Sequence, residues 1–333
     1  MTKEASTQIP FSKVSVRSTG RLHMGFFDLN GGLGRKFGSI GLSLANPGIE
    51  LTATTADSLE VTGLVNRRAE DVASKILTKL KLSSAVKLDI KQNIPEHSGL
   101  GSGTQLALAI GTAISQLYGL GLNTAQIATL TARGGRSGIG IAAFDKGGIL
   151  IDGGRVTCSS GSTQSDSTVP PLIARYDFPE HWRILLIFDN HQPGIHGEEE
   201  LAAFKTLPTF PENLAAHLCR SVLMQAMPAL VEHDLDAFGY CIKELQMHVG
   251  DYFAPAQGGR YASPYVGAVL QHLEMIGASC FGQSSWGPTG FAVFESEELA
   301  YKSMLELKIR FPESNLTWHI CAANNRGSEI TTS

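Results

Sequence analysis

Residues 94–104 read Ile94-Pro95-Glu96-His97-Ser98-Gly99-Leu100-Gly101-Ser102-Gly103-Thr104, three glycines within five positions. An alternating run (Val86, Leu88, Ile90) precedes them, and a run at helical spacing (Leu106, Ile110, Ala113, Leu117) follows. Glycine admits positive φ and lets a ligand approach the backbone closely. A helix that starts just after such a loop offers free N–H groups and the positive end of its dipole. Strand, glycine loop and helix start together predict an anion cradle, most often for phosphate. One glycine would suffice for a plain turn.

Working outward, Val14 and Val16 open a strand, and the glycine-rich stretch 20–41 reads as a long hairpin region. Strands are expected at 49–53, 59–61 and 86–90, and helices at 67–80, 103–118 and from Asn123 or Thr124 to before Gly134. Residues 139–144 and 148–152 alternate like a strand pair, and the Ser/Thr/Pro-rich stretch 157–171 reads as a linker. Beyond it come a buried strand at 183–189, helices near 213–231, 234–249 and 264–276, and a strand–loop–strand unit at 278–295. A helix near 296–310 and a last strand near 316–322 close the chain. Strands lead the first half and the second half is mixed, which fits two α+β domains better than a doubly wound parallel sheet.

Composition narrows the function. The 333 residues carry 27 basic and 31 acidic side chains, a formal charge of −4, with no basic block, so no nucleic-acid partner is expected. The five cysteines have no metal-site spacing and read as reduced thiols of a cytoplasmic protein. No apolar run near 18 residues stands out, so no membrane partner is expected.

The pattern Pro95-x-x-x-Gly99-Leu100-Gly101-Ser102-Gly103 before an apolar helix resembles the phosphate loop of the GHMP superfamily of small-molecule kinases. Residues 17–28 and 282–294 stand where that superfamily places its substrate strand and a C-terminal glycine loop. One departure bears on the chemistry. GHMP kinases carry Ser-Gly-x-Asp with a catalytic carboxylate, and this chain has Ser137-Gly138-Ile139-Gly140. Gly140 cannot accept a proton. Four segments, 20–29, 38–42, 134–140 and 282–288, together resemble a non-kinase branch, the β-ribofuranosylaminobenzene 5′-phosphate synthases of (tetrahydro)methanopterin biosynthesis.

That resemblance implies a GHMP-kinase-like α+β fold. A ribosomal-protein-like domain would cover 12–165, with the phosphate loop at 95–104, and a ferredoxin-like domain 180–333. It implies a homodimer and a pentosyltransferase. The reaction joins 5-phosphoribosyl 1-diphosphate to 4-aminobenzoate or 4-hydroxybenzoate, forms a carbon–carbon glycosidic bond, and releases carbon dioxide and diphosphate. Magnesium is expected to help the leaving group. Two other readings share the cradle: an ATP-dependent kinase with a carboxylate supplied from elsewhere, and a non-catalytic ligand-binding protein of this fold.

The residues offer a site for such a reaction, each with a plainer alternative. Gly99, Gly101, Ser102, Gly103 and Thr104 suit a phosphate, though the two hydroxyls equally suit helix capping. Arg21 and His23 lie in a glycine-flanked strand end. Arg21 reads as a phosphate ligand or a surface ion pair, and His23 as a catalytic imidazole or a satisfied structural one. Arg136 fits a carboxylate or diphosphate clamp, whereas Arg133 better fits a helix C-terminal cation. His97 inside the cradle reads as a proton donor or acceptor, or as a solvent-facing loop residue. Asp28 suits ribose hydroxyls or a metal. Glu198, first of three successive glutamates, is a metal candidate or part of a solvated helix start. Ser284, Ser285 and Thr289 surround Trp286, whose ring reads as a stacking partner for the benzoate or as core packing.

Overall fold

The computed structural model describes residues 10–64, 66–82, 85–157, 169–191, 194, 197–312 and 315–333, without the side chains of 66, 198, 199 and 201. The first half forms β1 (Lys13–Asp28), β2 (Arg35–Lys36), β3 (Gly38–Ala56), β4 (Glu60–Gly63), α1 (Asn66–Leu80), β5 (Ala85–Gln92), α2 (Ser102–Leu117), α3 (Thr124–Leu130), α4 (Ile139–Lys146), β6 (Ile149–Asp152) and β7 (Arg155–Val156). The second half supplies β8 (Leu172–Tyr176), β9 (Arg183–Asp189), α5 (Glu198–Thr206), α6 (Glu212–Ser221), a π-turn (Val222–Ala226), α7 (Met227–Glu232), α8 (Leu235–Gln257), α9 (Pro264–Met275), β10 (Cys280–Gln283), β11 (Gly290–Phe294), α10 (Glu297–Arg310), β12 (Leu316–Cys321) and β13 (Glu329–Thr332).

Two main sheets organise the chain. The larger has seven strands, in the order β13-β1-β3-β5-β4, with β6 on the far half of β3 and β8 beside β6. The smaller is antiparallel, β10-β11-β9-β12. β1 and β3 form one long hairpin with register shifts near His23 and Phe26. The second half of β1 stays paired with β3 through these irregularities and also meets α8. Helices α2 and α4 pack on the β1–β3 hairpin, and α8 bridges β10 and β1. One apolar core, including Leu22, Met24, Leu106, Ile110, Leu245 and Phe291, runs through both units.

The structure departs from the sequence expectations at three places. Residues 139–146 are helix α4, not a strand. Ile139, Ala142 and Ala143 pack with Leu150, while Ile141 and Phe144 join the main core. A helix buried all round loses its one-sided periodicity, and the residual alternation mimics a strand. Secondly, β12 is not the last strand. β13 returns to pair with Val14 and Val16 of β1, so 329–332 lie in the first sheet, as does β8. Thirdly, Glu212–Glu232 form 21 residues of helix apolar and long enough, by length and composition alone, to cross a membrane. Its residues Leu218, Val222, Ala226 and Leu230 are core residues here. Most of the expected 157–171 linker lies outside the described residues.

Removing β13 tests the return strand. Truncation after Ser328 leaves the N–H and C=O groups of β1 unpaired at a sheet edge. The expected result is a Tm several degrees lower and concentration-dependent aggregation. An unchanged melt would mean that β13 adds nothing to the sheet.

Candidate active site

Each glycine of the 99–103 loop is set by a neighbour. A Cβ on Gly99 would lie 2.4 Å from the Ser284 carbonyl oxygen, because the 284–287 loop of the smaller unit rests on it. Gly101 takes φ 83° as the N-cap of α2, with no side-chain cap and no acid in the first turn. A Cβ on Gly103 would meet Arg68 Nη2 at 2.3 Å and Arg133 Nη1 at 3.4 Å. The helix therefore opens without a side-chain cap and with two guanidinium groups beside its first turn, an arrangement suited to an anion.

Ser284 joins the two units. Its hydroxyl donates to the Gly99 carbonyl (2.8 Å) and accepts from the His23 backbone N–H (3.0 Å). The Ser285 N–H donates to the His23 carbonyl at 3.0 Å. Arg21 lies beside Gly101, and its Nη1 donates to the Gly99 carbonyl. Strand β1, the phosphate loop and the 284–287 loop thus converge, and the side chains of Arg21 and His23 are fixed between them.

His23 is 3 % exposed, and its Nε2 has no hydrogen-bond partner among the described residues. Burial, then the charges of Arg21 and Arg136, push the imidazole down to about 3. The ring is therefore neutral at physiological pH. Burial also lowers Arg21 to about 10, opposed by the charge of Glu200. The His23 ring packs on Phe26 at 4.5 Å. Beside it, a cavity of about 30 Å³ is lined by Phe26, Gln246, Gln257, Gln283 and Trp286. That is room for roughly two waters.

Arg136 carries the other positive charge. It forms an ion pair with Glu200 from α5, and its guanidinium lies 5.4 Å from the Phe204 ring centre. The turn after it is pinned by Asp152. That carboxylate accepts from Ser39 Oγ (2.6 Å), Ser137 Oγ (2.8 Å) and the N–H groups of Gly138 (2.9 Å) and Gly154 (2.8 Å). Burial raises the Asp152 carboxyl, while these hydrogen bonds oppose the rise. With its acceptors so engaged, Asp152 is a holding group for the turn. Gly140 faces Thr104, and a Cβ there would come within 3.2 Å of Thr104 Cγ2.

Several expected site residues fall elsewhere or act differently. Trp286 is 4 % exposed, its ring 4.3 Å from Phe253 and 5.6 Å from Phe204, and its indole N–H donates to Glu200 (2.9 Å). It is an aromatic wall with a polar edge, not a free stacking face. Asp28 ends β1 and caps the following turn through the N–H groups of Asn30 and Gly31. His97 and Thr289 line a cavity of about 720 Å³ on the other side of the 284–289 loop, with Asp189, His191 and Trp318. The Glu198 side chain lies outside the described residues. Within the glutamate run, Glu200 meets Arg136 and Trp286. Arg133 closes the end of α3 through its N–H to the Ala128 carbonyl (2.7 Å), while its guanidinium reaches Gly103. The sequence reading passed over Arg68, Asp152, Phe204 and Phe253. Arg68, Phe204 and Phe253 meet their partners only through tertiary approach, and Asp152 binds both the nearby Gly154 and the more distant Ser137 and Ser39, without a local motif.

Comparison with known proteins fits this geometry. The family model described as GHMP kinases N terminal domain matches residues 64–148, and GHMP kinases C terminal matches 226–313. A β-ribofuranosylphenol 5′-phosphate synthase of Archaeoglobus fulgidus is 35 % identical over 95 % of this chain and 98 % of its own. The protein of the same name from Methanocaldococcus jannaschii is 39 % identical over 69 % of this chain and 76 % of its own. The chain belongs to the β-ribofuranosylphenol 5′-phosphate synthase family. It is an enzyme of the pentosyltransferase type on a GHMP fold. Among solved structures, homoserine kinase of Cytophaga hutchinsonii superposes with TM-score 0.67 at 18 % identity, covering 97 % of this chain and 99 % of its own, a likeness of fold.

The neutral imidazole has a measurable consequence. An unfolded histidine takes a proton near pH 6.5 and the buried His23 does so only near 3, so acid favours the unfolded chain over that window. Between pH 7.5 and 4.5 the native chain should lose about 2–3 kcal/mol more stability than His23→Gln. The His23 ring resonances should stay flat from pH 8 to 5. A midpoint near 6.5 would contradict the assignment.

Proposed function

We propose that the enzyme joins 5-phosphoribosyl 1-diphosphate to 4-hydroxybenzoate, or to 4-aminobenzoate, in a decarboxylating transfer on the route to methanopterin-type coenzymes. The observation that carries the reading is the combination at one site of two arginines, an uncharged imidazole and an aromatic wall, with glycine at 140 where a kinase needs a carboxylate. The phenol named in the relatives' products favours the hydroxybenzoate.

The chemistry balances without an outside oxidant. The bond from sugar C1 to the diphosphate oxygen breaks, and the diphosphate leaves with the electron pair. The ring carbon bearing the carboxylate, made electron-rich by the para substituent, bonds to C1. The bond to the carboxylate then breaks, and its electrons restore the aromatic ring as carbon dioxide departs. Arg136 and the Trp286 indole N–H now hold the Glu200 carboxylate, and a benzoate carboxylate has the same charge and fork geometry. Phe26, Phe204, Phe253 and Trp286 give the aromatic ring an apolar wall. A charged histidine would repel the developing sugar cation, whereas the neutral His23 leaves Nε2 as a hydrogen-bonding group. Magnesium held by the substrate's diphosphate and one or two carboxylates would neutralise the charge that builds on the leaving group.

Purified protein given magnesium, the sugar diphosphate and carboxyl-labelled 4-hydroxybenzoate should release labelled carbon dioxide only when both substrates are present. Phosphate transfer from ATP to a hydroxyl, with no carbon dioxide formed, would replace this reading with the kinase one. Loss of a charged clamp costs about 2 kcal/mol. Arg136→Ala should therefore raise KM for the benzoate roughly 10- to 100-fold with little change in Tm, and Glu200→Gln should lower it. Equal KM values in all three proteins would remove Arg136 from the benzoate site.

A further inference from the structure

The small cavity beside His23 has no task in the chemistry above. Its volume is about 30 Å³, so it can take one polar substituent of a ligand but not a whole ring. The carboxamides that line it are engaged with one another and with the backbone. Gln246 Nε2 donates to the carbonyls of Met24 and Gln283, the latter at 3.0 Å, and its Oε1 accepts from the Gln283 N–H at 2.8 Å. Gln283 Oε1 accepts from the Ala262 N–H at 2.7 Å, and its Nε2 donates to the Ser285 carbonyl at 3.1 Å. Gln257 Nε2 donates to the Arg260 carbonyl at 2.8 Å. Arg260, the charged residue of this wall, is held by both oxygens of Asp251 at 2.7 and 3.0 Å. Of the described side chains around the cavity, His23 alone leaves a buried polar atom, Nε2, without a hydrogen-bond partner. A buried acceptor in that condition costs free energy that a ligand's donor would recover.

The ring's other nitrogen settles which one carries the proton. The imidazole hydrogen-bonds to the residue's own backbone, and since Nε2 has no partner, Nδ1 makes that bond as a donor to the carbonyl. The neutral ring then keeps its lone pair on Nε2 and offers the cavity an acceptor. Trp286 connects this cavity to the carboxylate clamp: its ring lines the cavity, and its indole N–H meets Glu200 beside Arg136. We propose that the cavity receives the para substituent of the ring substrate, and that His23 Nε2 accepts a hydrogen bond from its O–H or N–H, so that His23 selects a ring carrying a para donor. The assignment rests on the transfer reading for the identity of the ring. The substituent keeps its proton throughout. As the ring carbon bonds to sugar C1, positive charge spreads to the para oxygen or nitrogen, its hydrogen becomes a stronger donor, and the bond to Nε2 tightens. A ring with fluorine or hydrogen at that position leaves Nε2 unpaired and is disfavoured.

The test uses the full chain with magnesium, 5-phosphoribosyl 1-diphosphate and carboxyl-labelled 4-hydroxybenzoate, with 4-fluorobenzoate as a competitor that fills the same space without a proton. In wild type the inhibition constant of 4-fluorobenzoate should exceed the KM for 4-hydroxybenzoate by roughly tenfold or more. His23→Phe removes the acceptor. It should bring the two constants within about threefold and lower kcat/KM for 4-hydroxybenzoate by roughly tenfold or more. His23→Gln restores an acceptor oxygen and should recover part of both effects. A merely structural role would weaken both ligands equally. Nitrogen-15 labelling of histidine gives a second readout on wild type, which holds if His23→Phe does not fold. The Nε2 resonance of His23 should move upfield with 4-hydroxybenzoate and stay in place with 4-fluorobenzoate. Carbon dioxide release with no preference for the hydroxyl, the same preference in His23→Phe, or an Nε2 resonance indifferent to both ligands overturns the assignment of His23 and leaves the transfer reading standing. No carbon dioxide from either 4-hydroxybenzoate or 4-aminobenzoate overturns the transfer reading, and this assignment with it.

Discussion

Everything in this candidate site depends on how closely four neighbours crowd residues 99–103. The 284–287 loop rests on Gly99, Arg21 lies against Gly101, and Arg68 and Arg133 press on Gly103. No Cβ fits at Gly99 or Gly103 without displacing a carbonyl or a guanidinium. That crowding fixes the smaller unit against the larger through Ser284, which holds His23 with one lone pair and Gly99 with its proton. The cations therefore stand at set positions around a helix start.

The same crowding sets the electrostatics. His23 sits between two arginines in a water-poor space and cannot take a third positive charge. Glu200 supplies the opposing carboxylate, shared by Arg136 and Trp286 and felt by Arg21. The fold is that of the GHMP kinases. Position 140 is glycine against Thr104, and the nearby Asp152 spends its oxygens on the turn that aims Arg136. A fold that activates a hydroxyl elsewhere here presents cations, an aromatic wall and a neutral ring.

The fold was largely legible because the decisive segments are local. The alternation of 86–90, the three glycines and the apolar period of 106–117 all lie within about thirty residues, and each follows from backbone sterics or side-chain period. Strand β13 was not legible, since Glu329–Thr332 carry little apolar signal and gain their strand character from pairing with β1. Helix α4 misled because burial on all sides erases periodicity. Arg21, His23, Arg136 and the loop glycines could be named from glycine-flanked motifs. Arg68 and Phe204 could not, because an arginine on α1 or a phenylalanine on α5 becomes part of a site only through tertiary approach. Trp286 was visible as a residue but not in its role, which depends on Glu200 meeting its indole N–H.

The central claim is that a carbon–carbon bond to the pentose replaces a carboxylate on the ring. Carbon NMR of the product made from sugar diphosphate labelled at C1 and 4-hydroxybenzoate labelled at the carboxyl-bearing ring carbon tests it directly. The account predicts a one-bond carbon–carbon coupling between the two labels and no carboxyl signal. An ester, an ether or an amine linkage, with the carboxylate retained and the labels uncoupled, would contradict it.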